Sequence, residues 1–239
     1  PLIDEFEKAF AQKVGSKYAV VCSSGTAGLH LASMCLDLNN NDTVLVPAIS
    51  FVATANAPMY TGANVEFVDV EASTGLISQN TLIEAIKKSK KNIKVLFYVH
   101  LNGIVQDLTS IKNICDKYGI NIVEDSCHAI GGSNTSEKIG SCLNSKLSVF
   151  SFHPVKTITM GEGGIVTTNS REYREKLILL RSHGIVRNNN NFYEIEVDHK
   201  DMYGPWSYEM QKLGYNYRAS TLNVALGLSQ LKKLDFFVK

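Results

Sequence analysis

Seven short β-rich runs separated by stretches of helical periodicity constrain this chain more than any other feature of its sequence. They are YAVVC (18–22), TVLVP (43–47), VEFVD (65–69), KVLFYV (94–99), NIVED (121–125), LSVFSF (147–152) and GGIVTT (163–168). Between two of them, Leu108, Ile111, Ile114, Cys115 and Tyr118 fall on one helical face; Leu2, Ile3, Phe6, Ala9 and Phe10 do the same ahead of the first run. Alternation of this kind predicts an α/β fold, a mostly parallel seven-stranded sheet flanked by helices. With 239 residues, 44% of them hydrophobic, the chain can bury one large core and is too apolar to stay disordered. No internal repeat is visible, and Asn188 to Asn191 reads as a mobile loop.

Charge narrows the function. The 24 Lys and Arg nearly cancel 23 Asp and Glu, which removes the electrostatic case for nucleic acid or an anionic membrane and leaves small-molecule chemistry. Five cysteines (Cys22, Cys35, Cys115, Cys127 and Cys142) form an odd set without a C-x-x-C pair, and the chain opens on the acidic, amphipathic PLIDEFEKAF rather than on a secretion signal. Both points predict a cytoplasmic protein with reduced thiols. The longest apolar stretch, VLVPAISFVATANAPMY, is interrupted by Pro47, Ser50, Thr54, Asn56 and Pro58, so no membrane span is expected.

In a parallel α/β sheet, ligands gather beyond the carboxyl ends of the strands. After the first strand comes SSGTAG (23–28) and then a helical run, a place where backbone N–H groups and the Ser23, Ser24 and Thr26 hydroxyls could hold a phosphate. The same residues also make an ordinary helix cap. The fifth strand ends on Glu124-Asp125, followed by Ser126-Cys127-His128, where Asp125 is either a cap or a functional acid. After the sixth strand come Ser151, His153 and Lys156, and then Met160-Gly161-Glu162-Gly163-Gly164. Taken singly, Lys156 reads as a solvated lysine, and His128 and His153 as structural histidines.

On one sheet edge, these features ask for a single ligand with a phosphate, a ring nitrogen that wants an acid and a carbonyl that wants an amine. Pyridoxal phosphate has all three. A carboxylate such as Asp125 keeps the ring nitrogen protonated, and Lys156 holds the aldehyde carbon. Phe51, just after the second strand, either stacks on the ring or belongs to the core. His128 is close enough to Asp125 to reach the same ring. No metal enters this reading.

SSGTAGLHLA, VPAISFVATANA, VEDSCHAIG, FSFHPVKTITMGEGG, LRSHGI and LGYNYR occur in the order and spacing of the DegT/StrS family of sugar-nucleotide aminotransferases, which the whole chain resembles. That resemblance implies the large domain of the aspartate aminotransferase type, the pyridoxal-phosphate transferase fold type I. It matches Lys156 and Asp125 to the family's catalytic groups, Thr26, Ala27 and Ser151 to its phosphate contacts, and Phe51 to its stacking aromatic. His128 stands where many relatives carry a glutamine. Asn216 resembles an asparagine that reaches the cofactor phosphate of a partner subunit, which implies a homodimer with shared sites. Some relatives are dehydratases with histidine in place of the lysine, and Lys156 argues against that activity.

HPVK followed by GEGG, together with GLSQLKKLD, is similar to the branch of the family that serves pseudaminic acid synthesis. The resemblance therefore implies L-glutamate as amino donor and a UDP-linked 4-keto-6-deoxy sugar as acceptor. Departures lie in ASTLNVALG, where relatives commonly carry a Thr-Asp-Ile-Gln-type run, and in EDSCHAIG, where they are richer in alanine. The family pattern starts earlier and continues later than residues 1–239, so the chain is expected to be a large domain without its N-terminal segment and small C-terminal domain. Two rivals are a non-catalytic, cofactor-holding member of the family and a nucleotide-sugar oxidoreductase. The latter needs a G-x-G-x-x-G turn that SSGTAG does not supply.

Overall fold

A computed structural model describes residues 1–135, 137–188, 191–193, 204 and 206–239. All seven predicted strands are present: β1 (Tyr18–Cys22), β2 (Thr43–Pro47), β3 (Asn64–Val68), β4 (Ile93–Val99), β5 (Asn121–Asp125), β6 (Leu147–Ser151) and β7 (Gly164–Thr168). They form one sheet in the order β1-β7-β6-β5-β4-β2-β3. The run from β6 to β3 is parallel throughout. β7 alone is reversed, antiparallel to β1 and to β6. β2 and β7 are buried along their whole length, which is why both read as unbroken strand-forming runs rather than as alternating ones.

Side chains alternate between the two faces of the sheet. Val20, Val44, Val46, Val95, Phe97, Val149 and Val166 pack on α2 (Gly25–Cys35), α3 (Val52–Met59) and α6 (Arg171–Arg181). On the opposite face, Val21, Phe150 and Ile165 meet α1 (Leu2–Val14), α7 (Thr221–Leu231) and α8 (Leu234–Val238). Farther along that face, Leu45, Leu96, Tyr98 and Ile122 meet α4 (Gln79–Lys88) and α5 (Thr109–Tyr118). α1 seats Phe10 edge-on against Phe150 and Phe152, with ring centroids 5.2 and 5.6 Å apart. In α5, Ile111 and Cys115 are buried with Leu108 just ahead of them, whereas Tyr118 at the end of the predicted stripe stays exposed.

β1 is an edge strand, and its free backbone groups are taken up by side chains. Val21 N–H donates to Glu7 Oε1 at 2.9 Å, and Arg181 Nη1 donates to Val21 O at 2.6 Å and to Glu7 Oε1 at 2.7 Å. This buried triad ties α1, β1 and α6 together and closes the edge to strand addition. A ribbon of β8 (Ile185–Val186) and β9 (Glu209–Met210) stands apart from the main sheet. Asn189 and Asn190, the centre of the predicted mobile loop, lie outside the described residues. Among the described residues, no helix is long and apolar enough to cross a membrane. All five thiols are unpaired.

Candidate active site

Because β1, β2, β4, β5 and β6 point the same way and β7 starts where they end, the segments that follow them converge on one edge. There they enclose a cavity of about 620 Å³. Its wall comprises Ser24, Gly25 and Thr26 after β1; Ile49, Ser50 and Phe51 after β2; Val99 and Leu101 at the end of β4; and Asp125, Cys127 and His128 at the end of β5. Ser151, His153, Val155, Lys156 and Glu162 close it between β6 and β7.

The start of α2 forms one end of the cavity. Ser24 caps it, its hydroxyl accepting the Ala27 N–H at 3.0 Å. The N–H groups of Gly25 and Thr26 and the Thr26 hydroxyl have no partner among the described residues, so they are open donors at a helix N-terminus. Both readings of SSGTAG therefore hold at once: Ser24 is the cap, and its neighbours are left for an anion. The turn is pressed hard onto the sheet. A Cβ on Gly25 would lie 2.8 Å from Ser151 Cβ, and one on Gly164 only 2.3 Å from Ser24 O. Ser151 Oγ accepts the His153 N–H at 3.3 Å, which leaves its own proton to donate.

Asp125 is almost wholly buried and accepts two hydrogen bonds, from Thr54 Oγ1 to Oδ2 at 2.7 Å and from the Cys127 N–H to Oδ1 at 3.2 Å. Among the described residues no helix follows β5 until α6, so Asp125 caps only a tight turn; the helix-cap alternative fails. Beside it, burial first and the Asp125 charge second push the Cys127 thiol well above its ordinary pKa, and the sulfur stays protonated. His128 Nδ1 accepts the Asn102 N–H at 3.4 Å. Desolvation, reinforced by the Lys156 charge, lowers the His128 pKa, so the ring is held neutral with its proton on Nε2.

Lys156 follows β6 in a turn closed by its N–H donating to His153 O at 2.9 Å. Its Nζ has no hydrogen-bond or ion-pair partner among the described residues. Nearby, His153 Nε2 lies 3.8 Å from Glu162 Oε1 at the cavity rim. Phe51 is 67% exposed and lines the cavity, which removes the core-aromatic alternative.

Six of the eight predicted site residues thus share one wall: Thr26, Phe51, Asp125, His128, Ser151 and Lys156. Ala27 is buried with its N–H spent on Ser24, and it borders a second cavity lined by His30, Tyr60, Tyr215 and Tyr217. Asn216 is exposed, with its backbone bridged to Ser182, and lies outside the main cavity of its own chain.

Sequence reasoning missed Thr54 and Ser50, which stand behind Asp125. It also missed the pair beneath the site, where buried His100 Nε2 meets Glu124 Oε2 at 2.8 Å and the His100 N–H donates to Asp125 O at 3.1 Å. Glu124 is neighbour to Asp125 in the notably acidic end of β5, and that doublet was the available signal. Nothing local in FVATANA separates Thr54 from an ordinary core hydroxyl.

The donor set fits the group expected from sequence. It offers open N–H and hydroxyl donors for a phosphate, a buried carboxylate for a ring nitrogen, an unpaired amine for a carbonyl carbon and an exposed aromatic for a ring face.

A family model described as the DegT/DnrJ/EryC1/StrS aminotransferase family matches residues 1–239. The chain belongs to this aminotransferase family. Among relatives of this DegT/StrS chain, the UDP-4-amino-4,6-dideoxy-N-acetyl-beta-L-altrosamine transaminase of Campylobacter jejuni is 40% identical over 233 residues. The match covers 98% of this chain and 57% of that protein, so the chain spans little more than half the length of such a relative. Helicobacter pylori PseC, an aminotransferase involved in the biosynthesis of pseudoaminic acid, superposes with a TM-score of 0.83 at 31% identity, covering 99% of this chain and 58% of that one. The PLP form of Spr1654 from Streptococcus pneumoniae gives a TM-score of 0.85 at 26% identity, covering 99% and 60%. These neighbours agree with the mostly parallel sheet and with the fold type expected of the DegT/StrS family.

Proposed function

We propose that this chain binds pyridoxal phosphate on Lys156 and that the protein built on it transfers an amino group from L-glutamate to a UDP-linked 4-keto-6-deoxy sugar. The observation that carries the reading is the convergence, in one cavity, of an unpaired Lys156 amine, the Asp125 carboxylate and the open donors of α2. The finer substrate assignment, in pseudaminic acid or related surface-glycan synthesis, draws support from the likeness to the Campylobacter transaminase and to PseC. Five unpaired thiols favour the cytoplasm, and the exposed Asn216 favours a homodimer whose sites borrow that residue from the partner.

Pyridoxal phosphate, when bound, supplies a carbonyl that accepts the amine and a ring that draws electrons from the donor's α-carbon. The start of α2, with Thr26 and Ser151, grips the phosphate and sets the position of the ring. Asp125 holds a proton on the ring nitrogen through a charge-assisted hydrogen bond, which contributes about 1.5–3 kcal/mol. Phe51 covers one ring face and excludes water from it. Lys156 would hold the group at its carbonyl carbon and, with its amine free, would move a proton at the donor's α-carbon. Neutral His128 can donate through Nε2 to an oxygen on the ring.

Absorbance spectra of the purified, cofactor-saturated protein with and without glutamate test this, combined with borohydride reduction and peptide mapping. The expected outcome is a visible band that collapses on adding glutamate and a reduced adduct on Lys156. An adduct on another lysine, or none, refutes the assignment.

A further inference from the structure

The Thr54 contact to Asp125 does not end at Thr54. Ser50 Oγ lies 2.6 Å from Thr54 Oγ1, and Thr54 Oγ1 lies 2.7 Å from Asp125 Oδ2. A threonine hydroxyl has one proton. Against an ionised carboxylate, which only accepts, Thr54 must spend that proton on Asp125, so in the shorter contact Ser50 is the donor. A protonated Asp125 would permit the reverse order, because Ser50 Oγ also has the Phe51 carbonyl within 3.2 Å as an alternative acceptor. Ser50 lines the cavity just ahead of Phe51, the N-cap of α3, and Thr54 is fully buried in the first turn of that helix, where its N–H donates to Phe51 O at 3.1 Å.

From this chain of contacts we infer that Thr54, backed by Ser50, is a positioning residue. It fixes the rotamer of Asp125 through a hydroxyl relay and ties it to the turn that presents Phe51. The inference rests on the cofactor reading given above. The relay sets the plane of the carboxylate, because Thr54 holds Oδ2 and the Cys127 N–H holds Oδ1. A correctly turned Asp125 is what keeps the ring nitrogen protonated. Thr54 itself is buried outside the cavity wall.

The test uses holoenzyme loaded with pyridoxal phosphate labelled with ¹⁵N in the ring, in the parent and in Thr54→Val, Thr54→Ser and Ser50→Ala. Three quantities are read: the ¹⁵N shift at fixed pH, borohydride labelling of Lys156, and the glutamate half-reaction resolved into maximal rate and half-saturating concentration. Thr54→Val is expected to keep its Lys156 label, to move the shift toward the unprotonated ring and to slow the maximal rate about tenfold or more with half-saturation little changed. Thr54→Ser is expected to restore shift and rate, and Ser50→Ala to lose about threefold. A packing role alone would leave the shift unmoved. Parent-like shift and rate in Thr54→Val, or no rescue by Thr54→Ser, overturns the relay. Should Thr54→Val fail to fold, Ser50→Ala decides by the same shift. A parent that carries no label on Lys156 overturns the cofactor reading and the relay with it; a labelled parent with indifferent variants overturns the relay alone.

Discussion

His30 is 2% exposed on the inner face of α2, with Nδ1 3.0 Å from the Tyr217 hydroxyl and the rings of Tyr60 and Tyr215 edge-on at 5.3 and 4.9 Å. Burial lowers its pKa below the ordinary histidine value. The unfolded chain therefore binds more protons than the folded one as pH falls through about 6.5, and stability declines there until the folded-state pKa is also passed. Above about 6.5 this penalty is absent. Urea unfolding is expected to show a lower midpoint at about pH 5.5 than at about pH 7.5, and His30→Gln to flatten that difference. His128, shifted the same way, leaves some slope in the variant. An unchanged slope would exonerate His30. At this scale the sequence was informative where chemistry sits at a strand end: Lys156, Asp125, Thr26 and Ser151 all follow or start from one. It was silent on Thr54, whose partner is 71 residues away and whose only distinction is a contact.

Secondary elements were more legible than their arrangement. Each strand falls within a residue or two of its predicted run, because β-branched and aromatic residues bounded by polar turns mark both ends; Phe152, predicted inside LSVFSF, instead begins the loop toward Lys156. Strand order was not legible. β7 reverses against its near neighbour β6, but that β1 sits at the edge beyond it follows from pairings across well over a hundred residues. The same reversal explains the last glycine of GEGG, Gly164. β7 must start flush against the α2 cap, and at Gly164 a Cβ would strike Ser24 O, the acceptor of the first hydrogen bond in α2. Gly164→Ala is expected to cost about 1–3 kcal/mol in urea unfolding and to weaken cofactor binding, since backbone rather than a flexible side chain must move. Gly15 has a φ of 82° but nothing within 4 Å, so Gly15→Ala carries only the left-handed backbone cost of about 1–2 kcal/mol. That control should leave cofactor affinity alone. Equal loss of affinity in both variants would show that the close approach at Gly164 is not what shapes the cradle.

At the scale of the whole molecule, the described residues leave apolar surface open at several places. They include α3 and its lead-in, with Ile49, Phe51, Val52, Met59 and Tyr60 more than half exposed; the stretch around β9, with Trp206, Tyr208, Met210 and Leu213 likewise; and α7 and α8, with Leu222 at 86% and Phe236 at 79%. Contiguous exposure of this kind marks interaction surfaces, and a symmetric pair of chains is the commonest way to cover one. Asn216 gives the pairing a chemical consequence. It sits between Tyr215 and Tyr217, which stack on each other and turn toward His30, while its own residue stays exposed outside the cavity of its chain. If Asn216 completes the site of a second subunit, two defective proteins should repair each other. Lys156→Ala and Asn216→Ala homodimers are each expected to be impaired, the first in the chemistry and the second in cofactor retention. Random re-pairing of equal amounts places one intact site in half of the dimers, so the mixture should regain about a quarter of the parent activity. Sedimentation must show dimers in every sample. Dimers that mix freely and regain nothing would mean that each chain uses its own Asn216 or none, and the exposed apolar surface of α3 would then cover something other than a shared active site.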